Sequence, residues 1–451
     1  MVKVRAGFVS FGIFDYPRDI MERKCERAIE SLRSAGLEVI STGLVTDKRE
    51  LGEAQQAFAK LCQADLDVLI ACVAGWIPSQ VVVEVVSEFR HLPMVLWGLS
   101  GKEEGGRLVT TAEQAGTTAL RRSMEDLGFN FRYVPNFQDA TPPLDKIVTF
   151  ARAAAAARQL RHATIGEMGY RDMNLYATMF DGVSLRKQLG IEVEFFEMLE
   201  MVQRAERQAS GDVSSVVDTM REKWAFETPI SLEILEKVAK YYLAVGQKAR
   251  ERNYQAISLI DVDGMRKLLN LQPAMILMLL ADELGLCTIP ENDTPGAVSQ
   301  LITHCLTGQI GAYLEFYEFF SDRVLMGVPD YVPSEVVDGP VRVKPASFGG
   351  IEGAVNTSRM KTGLVTLCRM AGRGDHYLMH LATGDAATPR AWEEAGWAPP
   401  APQLPGLEIR LHSDMNEFAQ NVLGQHYILS YGDNTAHFKD FCRLLQMDFV
   451  G

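Results

Sequence analysis

Cys287–Gly308 reads CTIPENDTPGAVSQLITHCLTG. An apolar run ending at Pro290 has the look of a buried strand, and it stops in the carboxylate cluster Glu291-Asn292-Asp293. A helix starts at once, with Thr294 as a candidate N-cap and Pro295 in its first turn. A buried strand handing over to a helix through a polar corner belongs to a parallel α/β sheet, and such sheets bind ligands at the carboxyl ends of their strands. Carboxylates also stabilise helix N-termini without any further role, so Glu291 alone decides little.

Two later segments add to it. Glu315, 24 residues after Glu291, lies in GAYLEFYEFF. Strand alternation there places Leu314 and Phe316 on one face and Glu315 on the other, with Glu318 as a neighbouring competitor. His426 lies in LGQHYILSYGD, beside an aromatic and aliphatic strand. A lone histidine beside a strand is commonly a packed residue. Together, two carboxylates and an imidazole form a hard, mixed O/N set that suits Mn²⁺ or Mg²⁺ better than structural zinc. The same carboxylates are able to pass a proton between neighbouring carbons of a bound sugar.

These segments resemble the L-fucose isomerase/L-arabinose isomerase superfamily. Its pattern has a Glu in an E-x-D segment, a second acid about two dozen residues later, and a histidine in H-x-(V/I)-L-(S/T). Glu291-Asn292-Asp293, Glu315 and His426-Tyr427-Ile428-Leu429-Ser430 match it in order and spacing. The resemblance implies a fucose isomerase-like aldose–ketose isomerase working through an enediol or enediolate, with Glu291, Glu315 and His426 as ligands of Mn²⁺ (or Mg²⁺) and the two glutamates as the catalytic acids. One departure is present: LMGVPDYVP, after the second acid, lacks the additional histidine of the arabinose branch. The resemblance also implies a homo-oligomer, trimer or hexamer, whose active site lies at a subunit interface. Two alternatives remain: an isomerase of a modified hexose, deoxy or sulfonated, and a non-catalytic sugar-binding or regulatory protein of the same fold.

Four further residues are candidates for contact with the sugar. Trp76, in CVAGWIPSQ, follows a buried strand, and Arg18 belongs to the nearby FDYPRD segment. Trp392 and Trp397 lie in the proline-rich RAWEEAGWAPPAPQLP. Aromatic faces pack against sugar C–H groups, although packing or subunit contact explains each tryptophan equally well. His376 and His380, in HYLMH, share a face but have no glutamate between them for a zinc-hydrolase motif. His437 falls in a helical pattern and reads as packing. No phosphate loop, dinucleotide fingerprint or G-x-S-x-G elbow occurs, so a nucleotide cofactor is not expected.

The remaining chain supplies the frame. At 451 residues it is long enough for two or three domains. Residues 1–157 alternate strands (VRAGFVSFG, LEVISTGLV, LDVLIACV, PMVLWGL) with amphipathic helices, the pattern of a doubly wound Rossmann-like α/β domain. A second such domain is expected over 158–307, carrying the first ligand, with long helices over 197–221 and 230–252. Residues 308–451 change to short alternating segments rich in Gly and Pro, which predicts a mostly β, barrel-like domain carrying the other ligands. A net charge of −13 argues against nucleic acid or an anionic membrane as partner. Seven scattered cysteines without a C-x-x-C pair, and a first segment that reads as a strand, fit a cytoplasmic protein with reduced thiols.

Overall fold

The computed structural model describes residues 3–328, 331–346, 351–392 and 404–451. The chain separates into two compact units, Met1–Arg158 and Gln159–Gly451.

In the first unit the apolar runs become strands β1 Val4–Phe11, β2 Leu37–Val45, β3 Val68–Val73 and β4 Met94–Gly98, then the hairpin β5 Lys102–Glu104 and β6 Arg107–Val109, and β7 Phe131–Pro135. Helices α1 Arg18–Ser34, α2 Glu53–Cys62, α3 Ser79–Val86 and α4 Glu113–Asp126 alternate with them, and α5 Leu144–Leu160 follows. Five strands form a parallel sheet in the order β2-β1-β3-β4-β7. Every residue of β3 is buried, as expected for a central parallel strand covered on both faces. Strand order reverses between β1 and β3, and the two loops leaving there are tied by Ile13 N donating to Trp76 O at 2.7 Å. The hairpin turns on Gly105 and Gly106, both in the left-handed region, and the sequence reading does not anticipate it.

The second unit opens with β8 Thr164–Met168, β9 Glu192–Phe196, the two-residue β10 Ala225–Phe226, β11 Ala256–Leu259 and β12 Cys287–Pro290. Its helices are α6 Gly182–Leu189, α7 Met198–Glu206, α8 Ser210–Lys223, α9 Leu232–Arg252, the short α10 Lys267–Leu269, α11 Ala274–Leu284 and α12 Thr294–Thr307. Four strands make a parallel sheet in the order β12-β11-β8-β9. Two expectations are corrected. The single helix over 197–221 is two, because the chain extends at Ala209; nearby, the Gln208 amide donates to Arg204 O at 2.9 Å and to Gln247. The N-cap of α12 is Asp293, whose carboxylate accepts from Gly296 N at 3.0 Å, so Thr294 is already the first helical residue.

The C-terminal segments fold as β13 Ala312–Phe319, β14 Val324–Gly327, β15 Arg342–Pro345, β16 Ala354–Asn356, β17 Gly363–Arg373, β18 His376–Ala387, β19 Gly406–Leu411, β20 His426–Tyr431 and β21 Asp448–Val450, with α13 Met415–Gln420 and α14 Thr435–Leu444. Six strands run β17-β20-β13-β14-β19-β18, and β18 pairs back with β17. The ring is therefore closed, which removes the exposed edges of an open sheet. Leu314, Met326, Leu367, Leu407 and Leu429 belong to its apolar core. Helix α12 packs against β11 and β12 and also against β13, β17 and β20. Lying between sheet and barrel, it is buried almost all round, which accounts for its largely apolar sequence. Among the described residues no helix is long and apolar enough to cross a membrane.

Candidate active site

The polar corner after β12 is held in an unusual backbone conformation. Glu291 and Asn292 have φ of +65° and +49°, two consecutive non-glycine residues in the left-handed region. Such residues cost on the order of 1–3 kcal/mol each and persist where surrounding contacts fix them. Here the Asn292 side chain donates to Met168 O at 3.0 Å, and Asp293 caps α12. The corner turns the Glu291 side chain back toward β20, with its carboxylate largely buried.

The other two candidates meet by strand pairing. Glu315 on β13 lies opposite His426 on β20 in an antiparallel register that also pairs Tyr313 with Ile428. Leu314 and Phe316 pack with the barrel core, so alternation turns Glu315 to the other face, as the sequence pattern predicts. Glu315 Oε2 is 3.7 Å from His426 Nε2, and Glu291 Oε2 is 3.9 Å from His426 Nδ1. The Tyr313 ring stacks on the imidazole, with centroids 4.1 Å apart and planes at 19°. Glu318, the competitor in the same strand, follows a bulge and is exposed.

Electrostatics around the imidazole are set by burial. His426 is pushed down to about 3, chiefly by desolvation, with Arg369 adding to the effect and Asp293 opposing it. Its ring is thus neutral near pH 7, and its approaches to Glu291 and Glu315 are not salt bridges. Asp293 takes the full charge of Arg369: Nη1 binds Oδ2, and Nη2 donates to Oδ1 at 2.8 Å. Tyr313 OH donates to Oδ2 at 2.7 Å. Burial alone would raise the Asp293 carboxyl; the charge and hydrogen bonds of Arg369, with help from Tyr313, bring it below the usual value. Arg369 is itself fully buried, and its sequence setting, GLVTLCRM, gives one signal: a guanidinium inside an apolar strand needs a buried partner.

A second buried carboxyl adjoins the corner. Glu167, on β8, accepts from Thr294 Oγ1 at 2.5 Å, and its Oε2 has no hydrogen-bond partner among the described residues. Desolvation raises it to about 8, with Asp293 adding to that and Thr294 opposing it, so it holds a proton at neutral pH. The sequence reading passes over Glu167 because it sits inside an ordinary strand.

The residue types at the corner fit a hard divalent cation: two carboxylates and a neutral imidazole. The carboxylates address opposite ring nitrogens, however. Among the described residues, no three His, Cys, Asp or Glu side chains are gathered closely enough to hold an ion together. One of the glutamates has to turn for all three to share it.

Glu315 also heads a row of small neighbours. On the side away from β20 it pairs with Gly327 of the neighbouring β14, which pairs in turn with Gly406 of β19. A Cβ on Gly327 would meet the Trp392 ring at 3.0 Å, and one on Gly406 would meet it at 3.3 Å. The two glycines thus make room for Trp392, which packs on Tyr317 with centroids 4.4 Å apart. Its buried indole nitrogen has no hydrogen-bond partner among the described residues. Trp397 lies outside the described residues. Trp76 and Arg18 belong to the first unit: Trp76 is 37% exposed in the loop after β3, and Arg18 is bound to Glu22 at 2.8 Å and Glu53 at 2.7 Å. His380 donates to or accepts from Tyr427 OH at 2.7 Å, and His376 meets Asp448 on the surface, so both read as packing.

Among curated proteins this chain is distantly similar to L-fucose isomerases. The enzyme of that name from Bacteroides thetaiotaomicron is 29% identical over 119 residues, which are 26% of this chain and 20% of the relative. Those from Haemophilus influenzae and Phocaeicola vulgatus are 25% and 28% identical over 127 and 126 residues, or 28% and 27% of this chain and 21% of each relative. The similarity therefore spans about a fifth of the length of the relatives. No family model matches the chain. A solved periplasmic solute binding protein from Actinobacillus succinogenes with bound D-allose is 11% identical, covering 68% of this chain and 92% of its own at a TM-score of 0.18, too slight to bear on the argument.

Proposed function

We propose that this protein is an aldose–ketose isomerase acting on an open-chain sugar. The observation that carries this reading is the convergence of the Glu291 and Glu315 carboxylates on a buried, neutral His426, at 3.9 and 3.7 Å. The distant similarity to L-fucose isomerases supports the same class.

In this reading Glu291, Glu315 and His426 hold Mn²⁺ or Mg²⁺. Such an ion, when bound, supplies Lewis-acid stabilisation of the negative charge that develops on the sugar oxygens. The protein does the proton work. One glutamate takes the proton from C2, and the other serves the exchange at the oxygens or at C1; being close, they act as a coupled pair. The strained corner keeps Glu291 from relaxing away from the substrate, and the Arg369–Asp293 pair fixes the start of α12 beneath it. Trp392, over its two glycines, offers an apolar ring and an indole N–H to the sugar. We take the enzyme to be a homo-oligomer in which Trp76 and Arg18 serve the substrate of a neighbouring subunit.

The test is metal content together with turnover. Chelation is expected to abolish ketose formation over a panel of aldoses and to lower the melting temperature, and Mn²⁺ is expected to restore both. Full activity in exhaustively chelated protein overturns the metal reading, and no turnover of any sugar by the Mn²⁺-loaded protein overturns the isomerase.

A further inference from the structure

The first unit contains a cavity of about 330 Å³, far in sequence from the residues of the proposed active site. It lies beside α1 and the carboxyl ends of β4 and β7, where open α/β sheets place ligands, and its volume falls at the low end of small-molecule sites, which run from roughly 300 to 1,000 Å³.

The chemistry of its lining is one-sided. Lys24 and Arg27, a turn apart on α1, and Lys102 on β5 all line it, and among the described residues no Asp or Glu does. Lys24 is buried, with its ammonium held by Glu113 and by Thr111 Oγ1 at 3.1 Å. An ammonium has three N–H donors, and these two contacts take two of them. Arg27 gives its Nε to Arg23 O, which leaves both terminal NH₂ groups, and no carboxylate partner is described for it. Lys102 pairs with Glu104, 3.1 Å away in an exposed pair that water screens. Asn136 accepts from Trp97 Nε1 at 2.8 Å, which orients its oxygen toward the indole and leaves its NH₂ group to donate. Trp97, Leu99 and Leu144 supply an apolar wall.

From this donor-rich, carboxylate-free lining we infer that the cavity binds the oxyanion group of a small metabolite, a phosphate above all, at a site separate from Glu291, Glu315 and His426. The planar arginine fork of Arg27 and the ammonium of Lys102 suit phosphate oxygens, and the apolar wall suits the carbon body of a phosphate ester. Lys24 is neutralised by Glu113 and contributes to the wall, so Arg27 and Lys102 carry the charge that meets the anion.

Calorimetric titration of the full-length protein with inorganic phosphate and with glucose 6-phosphate tests this, with glucose as the uncharged control. Saturable binding of one anion per chain is expected, weakening with salt, with the ester tighter than free phosphate if the apolar wall is engaged. Arg27→Gln combined with Lys102→Gln should weaken binding at least tenfold and leave the circular dichroism spectrum unchanged. Lys24 is left in place in this variant, because removing it strands Glu113 in the interior. Failure of both anions to bind wild type by about 10 mM overturns the inference, as does equal binding by wild type and variant. Isomerase assays are not part of the readout, so the result stands apart from the fate of the proposed active site.

Discussion

Glu315 lies directly across the β13–β20 ladder from His426, with Oε2 3.7 Å from Nε2. Backbone pairing, rather than a flexible loop, sets this distance. A site built on paired strands holds its groups with little freedom, which is what proton transfer over fractions of an ångström requires. Glu291 reaches the other ring nitrogen from a strained corner, so the imidazole is addressed from two independent elements.

Replacing Glu315 with Gln keeps shape and removes the charge and the proton-accepting oxygen. A fall in kcat of about 100-fold or more is expected, the scale of lost general acid–base help. Glu318→Gln, on the exposed end of the same strand, should stay within about twofold of wild type. The two variants assayed side by side check the register; an inactive Glu318→Gln beside an active Glu315→Gln refutes it.

Arg369 and Asp293 form a fully buried pair, each about 1% exposed at its side chain. Arg369→Met leaves a buried carboxylate without its cation and should cost about 3–5 kcal/mol in urea unfolding. Adding Asp293→Asn removes the stranded charge and should recover a large part of that loss. A double variant no more stable than Arg369→Met alone contradicts this account of the pair.

Glu167 gives a pH prediction. Its carboxyl is raised from 4.5 to about 8 in the folded protein. Between those values the folded state holds a proton that the unfolded state has lost, so stability falls as pH rises through the window and levels off above it. Glu167→Gln cannot ionise, and its advantage in melting temperature over wild type should therefore be larger at about pH 8.5 than at about pH 5. A difference that does not change with pH means Glu167 is ionised in the fold.

Shared active sites predict complementation. Trp76→Ala should raise KM or lower turnover while metal content stays at the wild-type level. Co-expressed with Glu291→Gln, it should regain activity, since mixed oligomers contain sites with both wild-type residues. Mixed oligomers no more active than either variant alone, or an active monomer, exclude the shared site.

Much of the element structure is readable from local pattern. LEVISTGLV is β2 from its first residue to its last. The change of texture after Gly308 marks the barrel strands. Periodicity reports which face of a segment is buried, and burial is decided within a few residues. The break at Ala209 escapes because its local marker, Gly211, falls two residues later and is itself helical in α8, and the cap of α12 falls one residue early because Asp293 and Thr294 are equally good caps by type.

At the candidate site, residue types and order along the chain suffice to nominate Glu291, Glu315 and His426, because alternation in YLEFYEFF already turns Glu315 away from the barrel core. Nothing local brings the three together. Their meeting depends on the β13–β20 register, on α12 lying between sheet and barrel, and on the left-handed turn at Glu291 and Asn292. The partner of Asp293, Arg369, stands 76 residues away, and Glu167 is more than a hundred residues upstream of the Thr294 it binds. Such pairings follow from closing the barrel and packing it on one helix. They are long-range consequences of burial, and no window of neighbouring residues contains them.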